Sequence, residues 1–143
     1  MPAKSTSPRS SAAVEDYLER ILELMNSKGY ARVVDIAAAL KISQASVTNM
    51  VQRLDADGLL KYEKYRGLIL TTAGKALARK IAQRHKLLTD FLTLLGLDEK
   101  VIYRDVEGME HHISAPTLRA IEALTEQLRR RPALRARLEL TTA

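Results

Sequence analysis

The 143-residue chain contains no cysteine, and that absence removes disulfides, thiolate metal sites and cysteine nucleophiles together. Any metal here has to be held by oxygen and nitrogen ligands. Long apolar runs are missing too. The stretch ending at Leu40 falls far short of the roughly 20 residues a spanning helix needs, and the N-terminus lacks the apolar core of a signal peptide. A cytoplasmic protein with no membrane partner is the expectation. Positive charge, by contrast, is in excess: 23 Lys and Arg stand against 17 Asp and Glu, a net charge of +6. Such a balance favours a polyanionic partner, but a solvated basic surface gives the same number, so motifs have to decide. The length suits one compact unit or two small ones sharing a helix.

Residues 1–13 are rich in Ser, Pro and Ala with Lys4 and Arg9, a composition that buries little apolar surface and reads as a disordered basic arm. Val14, Leu18, Ile21, Leu22 and Met25 then recur at helical spacing up to Gly29. A second apolar pattern, Val34 to Leu40, is followed by Ser43, a good N-cap for a helix carrying Val47, Met50, Val51 and Leu54. Beyond Asp57 and Gly58 the period changes to two: Leu60 and Tyr62 alternate with Lys61 and Glu63, and Leu68 and Leu70 follow Arg66 and Gly67 as a hairpin's return strand. Thr71 or Thr72 caps a long helix ending at Gly96, and Asp98 opens another with Val101, Ile102, Val106, Met109 and Ile113 inward. Ser114, ahead of Pro116, begins a helix to about Arg130, and Pro132 sets off a last short basic segment. No internal repeat is present. The expected fold is mainly α: a winged helix-turn-helix DNA-binding domain over residues 14–72, with a small two-stranded wing, and an all-helical metal-binding and dimerisation domain over residues 73–143.

The run Asp35 to Leu54 reads as a helix-turn-helix. Its second helix leaves Gln44, Ala45, Ser46, Thr48, Asn49 and Arg53 on the outer face, short polar groups suited to base edges and phosphates in a major groove. Any small helical hairpin with a polar exterior would look similar over these residues. The hairpin that follows strengthens the DNA reading, because Lys61, Lys64, Tyr65 and Arg66 at or near its tip place cations for the phosphate backbone, Lys64 and Arg66 foremost. One departure stands out: the turn between the two helices often carries a glycine, and this sequence has Lys41 in that region.

A second cluster is Glu107-Gly108-Met109-Glu110-His111-His112. At 100° per residue Glu107, Glu110 and His111 fall within a fan of about 100°, with His112 well off it. Alone, such a cluster is usually a solvated acidic helix face. Two further features argue against that here. Asp16 and Glu19 form an i, i+3 carboxylate pair on the flank of the first helix's apolar stripe, and His85 interrupts the apolar stripe of the long helix. Carboxylates gathered around an imidazole without a cation would repel one another. Asp16, Glu19, His85, Glu107, Glu110 and His111 are therefore six candidate metal ligands.

Asp16-Tyr17-Leu18-Glu19, Gly29-Tyr30-Ala31-Arg32-Val33, Tyr62-Glu63-Lys64-Tyr65-Arg66-Gly67-Leu68, Arg84-His85 and Asp105 to His112 together resemble the manganese transport regulator family, within the diphtheria-toxin-repressor superfamily. The likeness spans about Val14 to Arg130. It implies that the six residues bind a pair of divalent ions, Mn2+ above all. In the related iron-responsive repressors the positions resembling Asp16 and Glu107 carry Met and Cys, so harder oxygen ligands replace sulfur here, which suits manganese. The resemblance also implies a repressor of metal-uptake genes that binds double-stranded operator DNA as a homodimer. The dimer contact is expected on Leu88 to Leu95 and on the helices from Asp98 to Arg130, whose apolar residues exceed what one thin helical layer covers.

Two rival readings stay open at this point. A binuclear carboxylate metalloenzyme uses similar ligands, but such bundles usually carry Glu-x-x-His twice and half of this chain reads as a winged helix. A metal-independent winged-helix regulator is the other. No small organic substrate is expected.

Overall fold

The computed structural model describes residues 11–63 and 67–142. Among them are seven helices and one hairpin: α1 (Ala12–Lys28), α2 (Val33–Leu40), α3 (Gln44–Ala56), β1 (Leu60–Glu63), β2 (Gly67–Leu70), α4 (Thr72–Leu94), α5 (Glu99–Met109), α6 (Ala115–Arg129) and α7 (Pro132–Thr142). They form two compact units divided between Arg79 and Lys80, a boundary inside α4. The fold is mostly helical, with a winged helix in the first unit and helices alone in the second.

In the first unit local chemistry sets each boundary. Ser11 caps α1 by accepting from the Val14 amide, and Gly29 ends it at φ 78, a left-handed conformation that costs glycine nothing. Ser43 accepts from the Ser46 amide to start α3. Thr71 accepts from the Gly74 amide at 3.1 Å and so starts α4. The apolar stripes meet in a core containing Leu18, Ile21, Ile36, Val47 and Leu54, closed by Leu60, Leu68 and Leu70 from the hairpin. Burial in this core also pushes the Tyr17 phenol above its ordinary value of 10.0.

The hairpin pairs Leu60 with Leu70 and Tyr62 with Leu68. Gly67 opens the return strand at φ 81, and a β-carbon there would lie 2.6 Å from the carbonyl oxygen of Ala31. That carbonyl also accepts from the Leu68 amide at 2.8 Å, so the α1–α2 connection is stitched to the wing. Period-two alternation places Tyr62 inward beside Leu60, and here the structure differs: Tyr62 is 56% exposed while Leu60 is buried. Its cross-strand partner Leu68 is buried, so the two sides of the hairpin are covered unequally at this register and strand parity alone does not decide burial.

The second unit is built around Leu88 and Leu92 of α4 against Ile102 and Val106 of α5, with Phe91, Leu95, Met109, Ile113, Leu118 and Ile121 packed on them. Asp98 and Ser114 cap α5 and α6 as their sequence positions indicate. Arg129 of α6 donates to Asp90 of α4 at 3.0 Å. The segment beginning at Pro132 is a helix, α7, with proline at its first position where no amide partner is lost. Two expectations need correction. Ala12 and Ala13, expected in the basic arm, belong to α1 because Ser11 supplies its cap, while residues 1–10 of that arm lie outside the described residues. And α5 does not run on to Ile113 but ends at Met109.

Candidate metal centre and DNA-reading helix

The end of α5 gathers its polar groups by leaving the helix. Glu110 keeps right-handed backbone angles (φ −60, ψ −28) and still donates its amide to Val106, but His111 and His112 lie in a turn, with the His112 amide bonded to Met109. His111 therefore joins Glu110 through a turn and not through the helical fan that its spacing suggests.

Glu110 has no solvent exposure. A 2.7 Å hydrogen bond joins its Oε2 to Nδ1 of His85 on α4. The other oxygen, Oε1, lies 3.4 Å from Nε2 of His111, close enough for attraction but without hydrogen-bond geometry, and among the described residues Oε1 accepts no hydrogen bond. The His111 side chain is 8% exposed and that of His85 31%. Glu107, one turn before Glu110 on α5, is half-buried, whereas His112 is exposed. In the first unit Asp16 and Glu19 are both half-buried on α1, one turn apart.

A buried carboxylate oxygen with no hydrogen bond costs about 1–3 kcal/mol or more, because its hydration is lost and not replaced. A divalent cation would supply what is missing. The groups at hand are carboxylate oxygen and imidazole nitrogen with no sulfur, which suits manganese, iron or zinc among divalent ions. The residues present thus fit such an ion.

Across the first unit, Gln44, Ala45, Ser46, Thr48, Asn49 and Arg53 are all exposed on α3, while Val47, Val51 and Leu54 face inward. Ser46 and Thr48 are bonded locally, Ser46 with the Ser43 hydroxyl at 2.9 Å and Thr48 to the Gln44 carbonyl at 2.9 Å. Asn49 and Arg53 extend from the same outer surface. Lys64 and Arg66 lie outside the described residues. Sequence reasoning passed over Gln52, which is exposed one turn after Thr48 and lines a depression of about 270 Å³ with Thr48, Asp55 and Tyr62. Its position one turn beyond Thr48 was the available signal.

A winged helix followed by a helical unit with a buried carboxylate and two imidazoles defines a class: metal-dependent DNA-binding transcriptional regulators. Residues 10–68 match the family described as iron dependent repressor, N-terminal DNA binding domain, and residues 71–137 match iron dependent repressor, metal binding and dimerisation domain. The HTH-type transcriptional regulator MntR of Lysinibacillus sphaericus (strain C3-41) is 50% identical over 127 residues, covering 89% of this chain and 91% of the relative. Its namesake in Bacillus subtilis (strain 168) is 56% identical over 102 residues, 71% of this chain and 72% of that one. The chain belongs to the MntR family of the diphtheria-toxin-repressor superfamily. Among solved structures, the manganese regulator SloR superposes with a TM-score of 0.70 at 28% identity, and ScaR with bound Zn2+ with a TM-score of 0.70 at 31% identity. Each comparison covers 79% of this chain but 53% of the other, so the chain spans about half the length of those two proteins.

Proposed function

We propose that the protein is a manganese-responsive repressor that binds operator DNA as a homodimer and controls metal-uptake genes in the cytoplasm. Asp16 and Glu19 of α1 act with His85, Glu107, Glu110 and His111 as ligands for two Mn2+ per subunit. The observation that carries this reading is Glu110, a fully buried carboxylate with one oxygen bonded to His85 and the other beside His111 without a hydrogen bond. The names of the relatives, manganese regulators among them, support the choice of metal, and carboxylates in place of sulfur agree with it. Those names also speak for a regulator and against an enzyme. No helix among the described residues is long and apolar enough to cross a membrane.

Bound divalent ions would supply positive charge that offsets repulsion among these carboxylates. The side chains divide the remaining work. His85 holds Glu110 in place through its Nδ1, which leaves the second carboxylate oxygen for metal. Asn49 and its neighbours on α3 read base edges, while Arg53, Lys64 and Arg66 hold phosphates. In a twofold dimer the two α3 helices need to be about 34 Å apart, or a multiple of it, to enter successive major grooves. Restricting the motion of one unit against the other raises the fraction of dimers that meet this spacing, and DNA then raises metal affinity by the same factor.

A gel-shift assay with and without manganese tests the reading. A shifted duplex with manganese and none after chelation is expected. Equal shifts in both would favour a metal-independent regulator, and none in either would remove the DNA role. Asp16→Met probes the ligand set more sharply: a thioether binds manganese poorly and tolerates ferrous iron, so anaerobic titration should show a stronger relative response to iron with the fold retained. An unchanged metal preference would remove Asp16 from the ligands.

A further inference from the structure

Among the described residues Lys41 is the one non-glycine residue at positive φ; its φ of 56 and ψ of 44 put it in the left-handed region. It closes α2 two residues before Ser43, the N-cap of α3. The same task at the end of α1 falls to Gly29, which has no β-carbon to crowd the next carbonyl. Lysine in this conformation carries a steric cost that glycine avoids. The turn lets the amides of Lys41 and Ile42 both donate to the Ala37 carbonyl, but glycine would do the same, so the lysine side chain does nothing within the described fold to offset that cost. The Lys41 side chain is exposed, and among the described residues it enters no hydrogen bond or ion pair. Its surroundings also leave its charge uncancelled, because the first turn of α3, Gln44 to Ser46, has no acidic residue.

We infer that Lys41 is a DNA-positioning residue: its ammonium group holds a backbone phosphate at the edge of the groove that α3 enters. The inference rests on the DNA-reading role proposed above for α3. A glycine would relax the turn but supply no cation, which gives a reason for a strained lysine at this position. A phosphate contact carries no sequence information, so Lys41 fixes the depth and register of α3 and raises affinity for every duplex alike.

The test uses the full-length protein with saturating manganese, a duplex selected for binding to wild type, and an unrelated duplex of equal length. Each neutralised phosphate contributes about −0.9 to the slope of log affinity against log salt, so a dimer that loses two contacts should flatten by about 1.8. Lys41→Gln keeps the β-carbon and removes the charge. Between about 50 and about 200 mM salt its loss of affinity should be about 12-fold smaller than that of wild type, on both duplexes. Lys41→Arg should keep the wild-type slope. Lys41→Gly should show the flattened slope together with a urea midpoint equal to or above wild type. A wild-type slope in Lys41→Gln overturns the assignment. So does a lowered urea midpoint in Lys41→Gly, which would make the lysine structural. Failure of wild type to bind either duplex is a different result, since it refutes the role of α3 itself.

Discussion

The outer face of α3 and the end of α5 both carry polar residues proposed to act in function, and their surroundings are opposite. On α3 the side chains from Gln44 to Arg53 that face outward are exposed, and the hydroxyls of Ser46 and Thr48 are bonded locally. At the end of α5 Glu110 is out of contact with solvent and spends one of its two oxygens on His85. The difference teaches where an energetic cost is kept. Polar groups on α3 are hydrated in the free protein, so they cost the fold nothing and act only when DNA displaces that water. Glu110 costs the fold its hydration at all times, and a ligand that meets Oε1 recovers it.

Glu110→Ala should have the largest effect. Metal affinity is expected to fall by more than about 100-fold, the upper end of what even outer-shell partners cost, and manganese-dependent DNA binding should vanish with it. Calorimetric titration with Mn2+ and anisotropy with a labelled duplex check both halves. A variant that still binds manganese with wild-type affinity would erase the contrast between the two regions.

Metal removal is next in size. At free manganese about 100 times the dissociation constant, the wild-type protein should gain about 2.7 kcal/mol in unfolding free energy over the chelated protein. Asn49→Ala should show the same gain and Glu110→Ala none. Urea unfolding with and without manganese distinguishes them, and a diminished gain in the α3 variant would mean that the two regions are not separable.

On the DNA side, Asn49→Ala should lower discrimination among duplexes by about 1–3 kcal/mol. Arg53→Ala, Lys64→Ala and Arg66→Ala should instead weaken all duplexes alike and flatten the salt dependence. Unfolding free energy in Asn49→Ala and Arg53→Ala should stay within about 0.5 kcal/mol of wild type, as befits exposed positions. Competition binding against several duplexes, paired with urea unfolding, reads both quantities.

The smallest effects belong to the caps. Ser43→Ala and Ser114→Ala should each cost about 1 kcal/mol, since each removes the oxygen that accepts an orphan amide at a helix start. Only Ser43→Ala should also lower DNA affinity, because it frays the turn from which α3 projects.

Much of this molecule is local and could be read residue by residue. Ser43, Asp98 and Ser114 cap their helices because a short oxygen side chain satisfies a free amide wherever a helix starts, whatever the rest of the chain does. Gly29 ends α1 for an equally local reason. The outer face of α3 follows from helical period alone, since Val47, Val51 and Leu54 claim the inner one. Other features depend on neighbours distant in sequence. Tyr62 has the right parity for burial yet is 56% exposed, at the rim of a depression it shares with residues of α3. Lys41 stands where such a turn often carries a glycine, but the residue type itself gives no sign that its backbone is left-handed. The six candidate ligands stand out as residue types at suggestive spacings. Only the tertiary structure decides that Glu110 is wholly buried, that one oxygen meets His85 while the other accepts no hydrogen bond among the described residues, and that His111 arrives through a turn after α5 ends at Met109. Period and capping are properties of a few consecutive residues, whereas burial and hydrogen-bond satisfaction are properties of everything that surrounds them.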